Sequence, residues 1–155
     1  MKKNILRILL VMFLTTGCGF KIVNQAKLIN YSITKIETTG DKRINYNLKN
    51  SILSSFKNDK EKKIVLNIET KKNKSIKEKN IKNEITKYHI NIISKIKIKN
   101  ENLNIKTFQV TKSGDYNVST QHSETLNNEK KLIRLLSNNL AEDIVEEILI
   151  RLNDI

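Results

Sequence analysis

The sequence predicts an α+β fold, a two-layer sandwich of a mostly antiparallel four-stranded sheet and two helices in the order β-α-β-β-β-α. Three observations point to it. Ile44, Leu48, Ile52 and Phe56 fall at fourfold spacing, which draws a stripe on a helix. Tyr88, Ile90, Ile92, Ile96 and Ile98 share one parity, which makes a strand with a single apolar face. Leu132, Ile133, Leu136, Leu140, Ile144, Val145, Ile148 and Leu152 recur at threes and fours, which makes a second and longer helix. Neither a lone helix nor a lone hairpin buries enough apolar area, at roughly 25 cal/mol per Å², to offset its chain entropy. Helix stripes laid on an Ile face do.

The elements follow in order. Tyr31 to Thr38 is rich in Ile and Thr and alternates loosely, as a first strand does. Thr39-Gly40-Asp41 reads as a turn, Asp41 as the cap of a helix from Arg43 to Lys57, and Asn58-Asp59 as its stop. From Lys63 the period becomes two, with Ile64, Leu66 and Ile68 on one face and Val65, Asn67 and Glu69 on the other. Lys71 to Asn83 holds six lysines and only two isolated isoleucines, so it is either an extension of that strand or a solvated hairpin connection. The third strand sets Tyr88 and its isoleucines against His89, Asn91, Lys95, Lys97 and Lys99. Glu101-Asn102 can turn the chain into Leu103 to Val110, and Ser113-Gly114-Asp115 reads as a second turn or bulge before Tyr116 and Val118. The final helix is expected from Glu129 onward, with Glu142, Asp143, Glu146 and Glu147 on its solvated side.

At 155 residues the chain is one small domain. It holds 25 Lys, 24 Ile and 21 Asn, all with codons rich in A and T, so part of its net charge of +13 reflects composition bias. With one Cys, two His and no Trp or Pro it offers no disulfide framework and no Cys/His metal cluster. The four glycines, Gly17, Gly19, Gly40 and Gly114, form no phosphate loop, and neither His89 nor His122 sits in a triad-like setting. The reading is of a non-catalytic protein with no metal site and no cofactor.

Residues 1–17 have the three-part form of a secretory signal. Lys2, Lys3 and Arg7 precede an apolar run from Ile8 to Leu14 and a small-residue segment ending at Gly17. The run is far shorter than the roughly 20 residues a spanning helix needs, so cleavage is expected. Cys18 stands where the cut would fall. This resembles the lipobox of bacterial lipoproteins, with Leu14 four residues before the cysteine. The resemblance implies that Cys18 becomes the first mature residue and carries a diacylglycerol and an N-acyl chain such as palmitate. Each buried methylene contributes about 0.8 kcal/mol, and two or more chains anchor stably. Gly19 in place of an acidic residue resembles the pattern exported to the outer membrane. Residues 18–30 are then a lipidated leader and 31–155 the folded domain, facing the periplasm.

Charge is uneven along the chain. Between Lys60 and Lys99 there are 13 Lys and four Glu, whereas Ser119 to Ile155 has four cations and seven acids. A positive hairpin end and a negative back are expected, and such a field attracts polyanions within a Debye length of about 8 Å. The alternative is a solvated Lys face left by codon drift. Tyr88 stands nearly alone among the cations as a stacking residue, so a nucleic-acid partner is not expected.

Leu14-Thr15-Thr16-Gly17-Cys18-Gly19-Phe20, the Tyr88-His89-Ile90-Asn91-Ile92 strand and the Asn139-Leu140-Ala141-Glu142-Asp143-Ile144 helix together resemble the LPS-assembly lipoprotein LptE family, over nearly the whole chain. The resemblance implies a lipid-anchored plug inside the LptD β-barrel that assists assembly of lipopolysaccharide into the outer leaflet of the outer membrane. The family's contact with lipopolysaccharide near the connection of its second and third strands falls here on Lys77, Lys79 and Lys82. Its cation just before the final helix has no counterpart between Ser123 and Asn128, and its F-x-L-R-G leader is replaced by Phe20-Lys21-Ile22-Val23-Asn24. The alternative is an outer-membrane lipoprotein that binds another polyanion or a cell-wall component without a barrel partner.

Overall fold

The computed structural model describes residues 31–56, 62–100 and 105–153. The signal segment, Cys18, the leader, the helix stop at Asn58-Asp59 and the turn at Glu101-Asn102 lie outside the described residues. The chain runs β1 (Tyr31–Gly40), α1 (Lys42–Ser55), β2 (Lys62–Lys79), β3 (Ile85–Asn100), β4 (Ile105–Asn117) and α2 (His122–Asn153). The strands lie in sequence order in one sheet. β1 and β2 are parallel because α1 carries the chain back between them, and the remaining pairs are antiparallel. The expected β-α-β-β-β-α order and mostly antiparallel sheet are what the chain forms.

Both helices cover one face of the sheet. Ile64, Leu66 and Ile68 of β2, Ile90, Ile92, Ile96 and Ile98 of β3, and Phe108 and Tyr116 of β4 are buried there. Against them lie Ile44, Leu48 and Ile52 of α1 and the α2 stripe from Ile133 to Leu152. Each buried Ile or Leu contributes about 1.5–3 kcal/mol. Among the described residues no helix covers the other face, where Asn67, Glu69, Lys71, Lys95, Lys97 and Lys99 are exposed.

The join of β1 to α1 depends on a glycine. Gly40 has φ of 99°, and a Cβ there would sit 1.9 Å from the Thr70 carbonyl oxygen. Thr39 and Gly40 are therefore still paired with Glu69 and Thr70 when the chain bends, and are not yet turn residues. Asp41 then caps α1 as expected: its Oδ1 accepts from the Arg43 and Ile44 amides, each at 3.1 Å. Its Oδ2 also pairs with Lys72 of β2 at 3.2 Å, which ties the helix start to the sheet.

Three expectations need correction or completion. Ser113-Gly114-Asp115 is neither a turn nor a bulge, because β4 passes straight through it with Gly114 opposite Ile90. The glycine serves a close helix approach instead: a Cβ on it would lie 2.9 Å from Leu132 Cδ1 and 3.5 Å from Leu136 Cδ2. The irregularity falls in β2, where the register shifts between Ile76 and Lys79. Lys71 to Lys79 is strand extension, held by its ladder to β3 and exposed throughout. α2 starts at His122 rather than Glu129, since polar contacts hold its first turns. The Ser119 amide donates to Thr125 Oγ1 at 2.9 Å, and Asn128 Nδ2 donates to the Asn117 carbonyl at 3.4 Å.

The two glycines should respond differently to a methyl group. Gly40→Ala meets backbone that cannot move and should cost about 3 kcal/mol, read as a lower urea midpoint at unchanged slope. Gly114→Ala meets only the end of a Leu side chain and should cost less than about 1 kcal/mol.

Candidate functional site

The end of the β2–β3 hairpin brings the three expected lysines into one region. Asn80 organises its turn. The Asn80 Oδ1 accepts from the Lys82 amide at 2.9 Å and the Glu84 amide at 3.0 Å, while its Nδ2 donates to Glu84 Oε2 at 2.7 Å. The Asn80 amide donates to the Glu84 carbonyl at 2.9 Å, and Asn83 takes the left-handed conformation at φ of 62°. This arrangement leaves Ile81 at the tip wholly exposed, at 103% of its reference surface.

The lysines there are not equivalent. Lys77 reaches across β3 to Asp115 Oδ2 of β4 at 2.5 Å, and His89 Nδ1 of the intervening strand lies 2.6 Å from Asp115 Oδ1. The hydrogen bond from Lys77 and then that with His89 hold the Asp115 carboxyl below its ordinary range, and Asp115 in turn raises Lys77. Lys79 donates to Asn83 Oδ1 at 2.9 Å. The Lys82 side chain has no partner among the described residues. Lys77 is thus a cross-strand brace, Lys79 a support of the turn, and Lys82 the free cation beside Ile81.

The fold neutralises much of the charge expected here, because acids arrive from distant elements. Lys72 pairs with Asp41, Lys74 with Glu129 and Lys77 with Asp115. Within the hairpin, Lys71 pairs with Glu69 and Lys87 with Glu78. On the open sheet face, Lys95 and Lys97 have no carboxylate in hydrogen-bonding reach among the described residues. They line a shallow groove of about 200 Å³ with Glu37, Thr39, Asn67 and Glu69.

A cluster that the sequence reading missed joins the hairpin to α2. Tyr88 and Tyr116 are cross-strand partners with rings stacked at 5.5 Å, and Lys74 Nζ lies 4.3 Å from the first centroid and 5.3 Å from the second. Lys74, at 2.6 Å, and the Tyr116 hydroxyl, at 2.7 Å, both donate to Glu129 Oε2. Burial alone would raise the Glu129 carboxyl, but the hydrogen bonds from Lys74 and Tyr116 outweigh it and leave the group below its ordinary range. Burial would likewise lower Lys74, yet Glu129 and Tyr116 raise it. The alternation of Tyr88 and Tyr116 was visible in sequence, whereas the register that stacks them was not.

His122 is exposed at the start of α2. Asp143 pairs with Lys112 at 2.7 Å and Glu147 with Arg151 at 3.1 Å. Among the described residues no group of three His, Cys, Asp or Glu side chains is placed to hold a metal ion, and no helix is long and apolar enough to cross a membrane.

The architecture is similar to that of several solved bacterial lipoproteins. Rare lipoprotein B of Shewanella oneidensis superposes with a TM-score of 0.61 at 10% identity, over 77% of this chain and 97% of that one. A lipoprotein B of Nitrosomonas europaea gives 0.61 at 10% identity over 84% and 90%. A minor lipoprotein of Acinetobacter baumannii gives 0.56 at 18% identity over 79% and 94%. At such identities the likeness is one of fold. No protein-family model and no curated protein matches the sequence.

The Glu129 cluster sets a pH dependence. A carboxyl held low in the folded chain takes its proton first in the unfolded one, so its contribution is present above the ordinary carboxylate range and is lost as pH falls through the lowered value. The urea midpoint should therefore fall on acidification. Glu129→Ala should cost about 1–2 kcal/mol at neutral pH and flatten part of that acid slope.

Proposed function

We propose that the protein is a non-catalytic lipoprotein of the outer membrane, anchored through acylated Cys18 on the periplasmic side, that plugs an LptD-type β-barrel and assists lipopolysaccharide assembly. The observation that carries this reading is the hairpin tip, where a bare Ile81 stands beside Lys82, whose side chain has no partner among the described residues. Lipopolysaccharide is itself amphiphilic, with phosphates next to acyl chains. A cation can pair with the former while an exposed aliphatic side chain meets the latter. The lipobox-like start and a fold similar to that of named lipoproteins support the anchor. A largely polar open sheet face suits the wet interior of a wide barrel.

A second reading rests on the exposed lysines Lys95, Lys97 and Lys99, which alternate along β3 on the open sheet face. They would suit a polyanion or wall component met without a barrel. Purification of the full-length protein from native membranes in mild detergent separates the two. A large outer-membrane barrel should accompany it, and a partner-free protein whose depletion alters the wall but leaves surface lipopolysaccharide intact would favour the second.

Further outcomes are expected. Mass spectrometry of the mature protein should find Cys18 at the amino terminus with acyl chains attached, and an unprocessed, unmodified Met1 would overturn the anchor. Replacing Lys77, Lys79 and Lys82 with Ala should weaken binding to lipopolysaccharide micelles about tenfold. Ile81→Ser should weaken it without changing the salt dependence. The Lys77 change alone should also lower stability, since it removes the Asp115 brace, whereas unaltered binding of the triple variant at low salt would sink the site.

A further inference from the structure

On the helix layer, a groove of about 340 Å³ between α1 and α2 is lined by Arg43, Asn47, Asn127, Lys130, Lys131, Ile133 and Arg134. It contains none of the hairpin residues. Asn127, Lys130, Lys131 and Arg134 stand at i, i+3, i+4 and i+7, one face of α2, and Arg43 and Asn47 stand at i and i+4 on α1. Ile133, whose side chain is in the core, closes the floor.

The charge lining this groove is one-sided. Elsewhere the fold brings a carboxylate to most clustered lysines. Here four cations meet with no acid in the lining, and none of their side chains has a partner among the described residues. Asp41 commits its carboxylate to the Arg43 and Ile44 amides and to Lys72, and the first turn of α1 that follows adds Lys42 and no acid. The acids of α2 near the groove are accounted for differently: Glu129 is held by Lys74 and Tyr116, Glu124 stands in the first turn outside the lining, and the rest run from Glu142 to Glu147.

The choice of cation is equally uneven. The sequence has 25 Lys and four Arg, and two of the four, Arg43 and Arg134, line this groove. Of the other two, Arg151 is held by Glu147 and lies over the Phe108 ring, and Arg7 belongs to the signal segment. Guanidinium forks match the geometry of a phosphate, with lysines adding charge and amides adding hydrogen bonds.

We propose that the groove between α1 and α2 is a binding site for a phosphate or pyrophosphate group, gripped by Arg43 and Arg134 and flanked by Lys130 and Lys131. The group belongs either to a soluble phosphorylated compound or to a lipid headgroup. Both present the same chemistry.

The test uses the full-length protein in mild detergent, titrated with inorganic pyrophosphate and, separately, with phosphatidylcholine vesicles with and without phosphatidic acid. Arg43→Gln combined with Arg134→Gln should weaken pyrophosphate binding about tenfold while circular dichroism and the urea midpoint stay unchanged. The matching pair of Lys substitutions should bind with intermediate affinity, because charge is kept and the fork is lost. Loss confined to pyrophosphate assigns a soluble ligand, and loss extending to the phosphatidic acid vesicles assigns a headgroup. The Lys79→Ala, Lys82→Ala variant should bind pyrophosphate normally. Equal binding by wild type and the double Gln variant in both arms, or a loss that follows the hairpin lysines instead, overturns the proposal.

Discussion

One-sided burial of the sheet governs the rest of the structure. Three strands put isoleucine, leucine or aromatic side chains on one face, and α1 and α2 together shut that face from water. Because the other face must then remain in solvent, its positions are free to hold lysine, asparagine, threonine and glutamine. The polar surface, the uncovered lysines of β3 and the interhelix groove all descend from this asymmetry. So does the tight approach of α2 to β4, where Gly114 leaves room for Leu132 and Leu136.

Charge in this chain is arranged by pairing more than by amount. The lysine-rich arm of β2 would repel itself if it stood alone, but Asp41, Asp115 and Glu129 arrive from a cap, the strand beyond β3 and a helix to meet it. Exposed pairs of this kind are screened by water and add little stability individually. Their collective effect is positional, since they hold a long and mostly solvated strand against its neighbours and against α2. Among the described residues, the cations left unmatched after this pairing include Lys82 at the tip, Lys95 and Lys97 on the open sheet face, and the Arg43–Arg134 groove.

Much of the architecture was legible because it is written in periodicity. The α1 stripe with its Asp41 cap, the alternation of β3 and the Leu132–Leu152 stripe of α2 each need only local sequence to be recognised. The start of α2 was hidden because its first turns carry one exposed leucine, Leu126, and are held by Thr125 and Asn128. Gly114 misled for a related reason, since a glycine that admits a helix looks the same in sequence as one that permits a turn. At the candidate site the lysines were legible as a group. Their different roles were not, because register decides which of them meets Asp115, and helix packing decides that Arg43 stands across from Arg134.

The length of the central ladder has a mechanical consequence. β1 opens at Tyr31 beside Lys62, the first residue of β2, whereas Ile81 lies just past the last, Lys79. Eighteen residues of extended strand separate those ends, a distance of about 55 Å. That exceeds the roughly 30 Å thickness of a bilayer's hydrocarbon layer. Anything that holds the chain at Tyr31 and anything that meets Ile81 would therefore be kept apart by the full run of the ladder.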